Sequence, residues 1–260
     1  MRIKANGITF NYTLDGPEGA PWLVFSNSLC TTGAMWDDQA AALKSKYRVL
    51  RYDQRGHGGT DAPAGRYTFG LLIADAAALL DAVGVKRAHF AGLSMGGVTA
   101  LGMALDHPDR VDRAIVCDSA CMSTPASSQQ WEERIVVAQT KGMEPLVEPT
   151  IARWCPPEIR EKNPPHLDKL RAMIRATPVA GFIGCSAALA DHNYNARVAG
   201  VTRPTLFLVG EKDGPAPAAM RDMHARLPGS KNVEIAGAGH ISNMDRPAEF
   251  TKAVAEFLAA

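Results

Sequence analysis

The stretch Ala88-His89-Phe90-Ala91-Gly92-Leu93-Ser94-Met95-Gly96-Gly97-Val98-Thr99-Ala100-Leu101 constrains the fold more than any other part of the chain. A short apolar run reaches Gly92, a tight turn follows, and small residues suited to a closely packed helix come next. The turn spells Gly-x-Ser-x-Gly. A serine in the middle of such a strand-to-helix turn is held in a strained backbone conformation, and its hydroxyl stands clear of both elements. Gly92 and Gly96 lack side chains, so strand and helix can approach each other on either side of it. The helix start behind Ser94 offers unpaired N–H groups and the positive dipole end to nearby negative charge. A bare Gly-x-Ser-x-Gly also fits an ordinary turn with a chance serine. Ser94 becomes a nucleophile only if an acid and a histidine follow where they can activate it.

The flanking chain supplies the sheet that such a turn requires. Residues 1–13 alternate apolar and polar around Asn6-Gly7, a hairpin signal. Trp22-Leu23-Val24-Phe25 is continuously apolar, as in a strand covered on both faces, and opens into the small-residue loop 26–33. A helix is expected from Trp36 towards Leu43, then a strand at 47–52 leading into the glycine-rich turn 53–60. Phe69, Leu72, Ala76, Leu79, Leu80 and Val83 have helical spacing. The helix after Ser94 is expected to stop near Asp106-His107-Pro108, and 111–116 reads as another strand. From about Ser123 to Gly200 strand runs vanish and helical patterns dominate, broken by prolines from Pro125 to Pro178. The sheet resumes at 205–209, followed by a helix around 216–227, a strand around 232–235 and a helix from Pro247. This alternation predicts an α/β fold with a mostly parallel central sheet and helices on both faces. Residues 1–122 and 201–260 would form the core and 123–200 an inserted helical cap. A length of 260 residues suits one such domain.

Asp213 lies just beyond the strand 205–209, and His240 just beyond the strand 232–235. In open α/β sheets, ligands bind in the crevice outside the carboxyl ends of the strands. In the order Ser94, Asp213, His240, the serine would attack a carbonyl and the histidine would take and return its proton. The aspartate would fix the imidazole tautomer and stabilise the imidazolium. Taken singly, Asp213 also reads as an Asp-Gly turn residue and His240 as a surface loop histidine. Asp118, beyond the strand ending near Cys117, is a rival acid. A developing oxyanion needs two preorganised N–H groups. Met95, directly after the serine, and Leu29, on the loop after strand 22–25, can supply them.

The charge balance, 28 basic against 27 acidic residues, gives no reason to expect nucleic acid or an anionic membrane as partner. No stretch approaches a membrane span. The five cysteines are an odd set without metal-site spacing. With no signal-peptide core at the N-terminus, they fit reduced thiols in a cytoplasmic protein. His-Glu-x-x-His, paired Cys-x-x-Cys, Gly-x-x-x-x-Gly-Lys and Gly-x-Gly-x-x-Gly are all missing, so no metal or nucleotide cofactor is expected. Arg55 and His57 read as turn residues free to bond backbone. His107 suits a helix C-terminus, His89 a core or rim position, and His166 and His192 lie in the cap.

The chain resembles the α/β-hydrolase superfamily over its whole length, and within it most closely the 3-oxoadipate enol-lactonases. The matching stretches are Ser26-Asn27-Ser28-Leu29 with Met35-Trp36-Asp37, the run Arg51 to Gly58, and Gly92 to Gly97. Arg153-Trp154, Gly184 to Leu189, and Gly239-His240-Ile241-Ser242-Asn243 with Arg246-Pro247 complete them. Cys30 stands where those lactonases usually have glycine, and residues 122–180 match only in patches. The resemblance implies a serine hydrolase that opens the enol-lactone of 3-oxoadipate in aromatic catabolism through an acyl-enzyme. A carboxylesterase, a cofactor-free perhydrolase or a slow-turnover ligand receptor would share the same scaffold. Because the implied substrate carries a carboxylate, the cap should supply a cation. Arg153 is the first choice and Arg134, on the helix with Trp131, the second, although both also read as solvated helix arginines whose stems cover apolar surface. Trp154 would serve as a pocket wall.

Overall fold

Asn6 and Gly7 both take left-handed backbone, with φ of 43° and 77°, and close the hairpin that their pairing predicts. That hairpin, β1 (Arg2–Ala5) and β2 (Ile8–Asp15), forms one end of an eight-stranded sheet. The structure, a computed structural model, covers all 260 residues. The other strands are β3 (Trp22–Ser26), β4 (Arg48–Tyr52), β5 (Ala88–Leu93), β6 (Val111–Cys117), β7 (Thr205–Gly210) and β8 (Lys231–Ile235). Their spatial order is β1-β2-β4-β3-β5-β6-β7-β8. The pairs β1–β2 and β2–β4 are antiparallel, and every other pair is parallel.

The helices between these strands are α1 (Asp37–Leu43), α2 (Phe69–Val83), α3 (Met95–Asp106) and α9 (Ala216–Arg226), and α10 (Ser242–Asp245) and α11 (Pro247–Ala259) follow β8. The chain moves one way along the sheet from β3 to β4 and the opposite way from β5 to β6 to β7 to β8. Right-handed crossovers therefore put α1 and α3 on opposite faces. In agreement, α2 packs with α3, and α1 packs with α11. Helix α2 shows why its ends fall where they do. The Thr68 hydroxyl accepts the Leu71 N–H at its start, and Gly84 ends it in left-handed backbone at φ 81°.

Between β6 and β7 lie five helices and no strand: α4 (Pro125–Lys141), α5 (Val147–Trp154), α6 (Pro157–Lys162), α7 (Pro165–Ala176) and α8 (Val179–Asp191). The prolines that interrupt the helical pattern are mostly starting points. Pro125, Pro157 and Pro165 each occupy a first helical position, where a missing N–H costs nothing. The segment leaves and rejoins the sheet through a two-stranded neck. Ser123 N–H donates to the His192 carbonyl at 2.8 Å, and Tyr194 N–H donates to the Cys121 carbonyl at 2.7 Å. Residues 195–200, grouped with the cap in the sequence, form a tight turn packed against α3 and α9.

One hydrophobic cluster of 73 buried residues runs from the sheet through Trp154, Leu167, Leu170, Ile174 and Phe182, so cap and sheet share a core. Gly56, after β4, packs directly against Gly181 of α8. A methyl group on either would overlap the other's backbone.

Candidate active site

Ser94 sits between β5 and α3 at φ 57° and ψ −113°, a conformation that costs a non-glycine residue on the order of 1–3 kcal/mol. Neighbouring glycines make it possible. A methyl on Gly92 would overlap the Gly96 carbonyl, and one on Gly96 would overlap the Ser26 carbonyl at the end of β3. The turn is pinned by Ser94 N–H donating to the Cys117 carbonyl at 2.8 Å and by Val98 N–H donating to the Ser94 carbonyl at 3.0 Å.

On the loops after β7 and β8, Asp213 Oδ2 and His240 Nδ1 lie 2.8 Å apart, with only 10% and 12% of their side chains exposed. With the carboxylate accepting at Nδ1, the proton resides there and Nε2 is the basic nitrogen. Asp118 does not meet the imidazole. Its carboxylate accepts the Gly210 N–H at 2.8 Å and the Ser242 hydroxyl. Burial, and then the negative charge of Asp213, push the Asp118 carboxyl well above the usual range.

The loop after β3 presents its amides by a chain of hydrogen bonds. The Ser28 carbonyl accepts from Thr31 N–H at 3.2 Å, the Thr31 hydroxyl at 2.8 Å and Asn27 Nδ2 at 2.9 Å. No peptide bond in the chain is cis, so the Leu29 N–H points away from that carbonyl. It makes no hydrogen bond within the chain. Met95 heads α3, where N–H groups have no intrahelical acceptor. Gly96 abutting the Ser26 carbonyl places the start of α3 against this loop. The next amide, Cys30 N–H, donates to His57 Nε2 at 3.0 Å. Burial lowers the His57 pKa to about 4, which keeps that nitrogen an acceptor at neutral pH. Cys30 itself takes φ 59°, backbone that glycine adopts without strain.

Two cap arginines converge on one indole. The guanidinium carbon of Arg134 lies 4.8 Å from the Trp131 ring centroid, and that of Arg153 lies 5.2 Å from it. Arg134 Nη2 also donates to the Thr150 hydroxyl at 2.7 Å and lies over Phe182. Neither arginine forms a salt bridge. Arg153 is exposed at the surface, and desolvation by its neighbours followed by the charge of Arg134 lowers its pKa to about 10. Asp213 and Cys30 oppose the shift. Both arginines remain cations at neutral pH, and Arg153 lies near enough to Asp213 to feel its charge. No group of three or more histidine, cysteine or carboxylate side chains is placed to hold a metal ion.

Residues 21–247 match the family described as alpha/beta hydrolase fold. The chain belongs to the α/β-hydrolase fold family. Two relatives are the 3-oxoadipate enol-lactonases 2 and 1 of Acinetobacter baylyi. The first is 32% identical over 97% of this chain and 94% of the relative, and the second 33% identical over 99% and 96%. The enol-lactonase from Burkholderia xenovorans LB400, a solved structure, superposes with a TM-score of 0.96 at 37% identity, covering 100% of both chains. The protein is a hydrolase.

Sequence reasoning about this hydrolase needs one correction at the level of side chains. Trp154, expected as a pocket wall, is only 2% exposed. Its ring lies 5.8 Å from that of His240 at 27°, and its carbonyl accepts the His240 N–H at 2.7 Å. It therefore braces the histidine rather than facing a ligand. Arg55, expected to bond backbone, donates Nη2 to the Asn6 carbonyl at 3.3 Å and in addition gives Nε and Nη2 to the buried Asp75 at 2.6 and 2.7 Å. His57, expected to bond backbone, does so at both ring nitrogens, to the Cys30 N–H at 3.0 Å and the Arg55 carbonyl at 3.2 Å, and thereby holds the loop that carries Leu29. Its signal in the sequence is topological: β4 neighbours β3, so the turn after one strand reaches the loop after the other.

Proposed function

We propose that this hydrolase opens a small lactone or ester that carries a carboxylate, through an acyl-enzyme on Ser94. The 3-oxoadipate enol-lactone is the specific substrate that best suits the site. Ser94 Oγ attacks the ring carbonyl as His240 Nε2 takes its proton. The negative charge moves onto the carbonyl oxygen, between the N–H groups of Leu29 and Met95. Collapse breaks the ring C–O bond, and His240 returns the proton to the departing oxygen. A water molecule, deprotonated by His240, then releases the acid and regenerates the serine. An enol leaving group tautomerises to a ketone, which removes the nucleophile that would otherwise re-close the ring from the same acyl-enzyme.

The observation that carries the substrate assignment is the pair of cationic guanidiniums over Trp131 with no carboxylate partner. Arg134 is partly buried and the two like charges repel, so a cation pair of this kind is costly until it is paired, and an anionic ligand would supply the missing partner. The similarity to enol-lactonases supports the same class. The test is a hydrolysis panel of enol-lactone, neutral γ-lactones and neutral aryl esters, with Ser94→Ala as the control. The anionic lactone should have the highest kcat/KM, and Ser94→Ala should lose on the order of 10³-fold or more. A neutral ester as the best substrate would overturn the carboxylate assignment. An active Ser94→Ala enzyme would overturn the acyl-enzyme.

A further inference from the structure

We infer that the cap is part of the mounting of the catalytic base, with His166 and Asp245 as positioning residues for His240. This rests on the reading of Ser94, Asp213 and His240 as nucleophile, acid and base. Asp213 holds the imidazole only at Nδ1. The imidazole's remaining freedom is set by where its backbone is fixed. Two successive amides fix it. His240 N–H donates to the Trp154 carbonyl at 2.7 Å, at the end of α5. Gly239 N–H donates to Asp245 Oδ2 at 2.8 Å.

The first tether ends in the cap, and the second reaches it through Asp245. The second oxygen of Asp245 accepts His166 Nε2 of α7 at 3.0 Å, and the Asp245 side chain has no exposed surface. A buried carboxylate must have its oxygens satisfied. Asp245 satisfies them with one core amide, adjacent to the base, and one cap imidazole. The remaining space is closed too. A methyl on Gly239 would overlap the Trp154 carbonyl and crowd the Pro156 ring. With α5 and α7 seated, the loop has one position. With them displaced, His240 N–H loses its acceptor and Asp245 loses its second donor. An aligned base therefore requires a seated cap, which joins substrate enclosure to proton transfer. Catalytic groups must be held within about 0.5 Å of the productive geometry, and a misplacement of about 1 Å can cost about 100-fold.

The test uses the full chain, a neutral aryl acetate and single-turnover release of the phenolate. His166→Leu removes the donor, and His166→Gln restores an N–H at a similar reach. His166→Leu should slow acylation by between about tenfold and about 100-fold. Its KM should stay within about twofold of the parent, while its unfolding midpoint should fall because one buried oxygen of Asp245 loses its partner. His166→Gln should recover most of the rate. Asp245→Asn is the second variant and should slow acylation with the same KM pattern. An acylation rate in His166→Leu equal to the parent's, equal losses in the Leu and Gln variants, or a loss in KM alone would overturn the proposal. Should His166→Leu not fold, parent-like acylation in Asp245→Asn would overturn it. Inactive Ser94→Ala beside fully active His166→Leu defeats only the cap's role. Active Ser94→Ala defeats the triad itself.

Discussion

Arg153→Ala should convert a carboxylate-preferring hydrolase into an indifferent one. Arg153 is the cleaner of the two cap cations to remove. It has no side-chain hydrogen bond within the chain, whereas Arg134 is tied to Thr150 and lies over both Trp131 and Phe182. Truncating Arg134 therefore loses packing as well as charge. Truncating Arg153 relieves the repulsion from Arg134 that contributes to its lowered pKa, so the fold should tolerate it. A hydrogen bond to a charged group contributes about 1.5–3 kcal/mol. At about 1.36 kcal/mol per factor of ten, that is a loss of roughly 10- to 150-fold in kcat/KM for the anionic lactone. A neutral aryl ester has nothing for the guanidinium to hold and should change by less than about twofold. The assay is kcat/KM for both substrates in parent, Arg153→Ala and Arg134→Ala, with unfolding midpoints alongside. Arg134→Ala should show a smaller difference between the substrates because part of its loss is structural. Equal losses on both substrates in Arg153→Ala, or none on either, would refute the argument from unpaired charge.

Asp213→Asn should lower kcat on the order of 10⁴-fold, because the amide leaves the imidazole in the wrong tautomer. Asp118→Asn, whose carboxyl bonds Gly210 and Ser242 rather than His240, should lose less than about tenfold, and steady-state kinetics on any good ester would expose the reverse order. Thr31→Val removes one of three donors to the Ser28 carbonyl and should weaken a tetrahedral boronate inhibitor by up to about tenfold with KM nearly constant. Unchanged inhibitor affinity would mean the Leu29 amide is held without it. His57 has a folded pKa of about 4, below its ordinary 6.5, so the unfolded chain binds the proton first. Its contribution, about 3 kcal/mol, is present above pH 6.5 and is lost as pH falls towards 4. Denaturant unfolding of parent and His57→Gln across that range should show a steeper acid loss in the parent, and parallel curves would contradict the burial argument.

What was legible in the sequence was whatever the backbone dictates locally. Asn6-Gly7 could close only one kind of hairpin, and the apolar runs 22–25 and 205–209 could only be strands covered on both faces. Gly92, Gly96 and their neighbours left little choice but a strained serine at a strand-to-helix turn. The prolines of the cap were legible as punctuation but not by sign, since the same residue ends one helix and begins another. What stayed hidden are contacts between loops distant in the chain that run through backbone atoms. The Trp154 carbonyl, the Gly239 amide and the Cys30 amide carry no residue-type signature. Asp245 and His166 stand 79 positions apart, and nothing in either local pattern ties them.

The neck at Cys121–Ser123 and His192–Tyr194 brings the two ends of the helical segment side by side. To the sheet, that whole segment is equivalent to a short hairpin. A lineage could exchange the segment for another and leave every strand pairing intact, so scaffold and substrate choice can evolve at different rates. The exchange has one condition. An incoming segment must present a backbone acceptor where Trp154 does and a donor where His166 does, or it will bind its ligand above a histidine that no longer points at it.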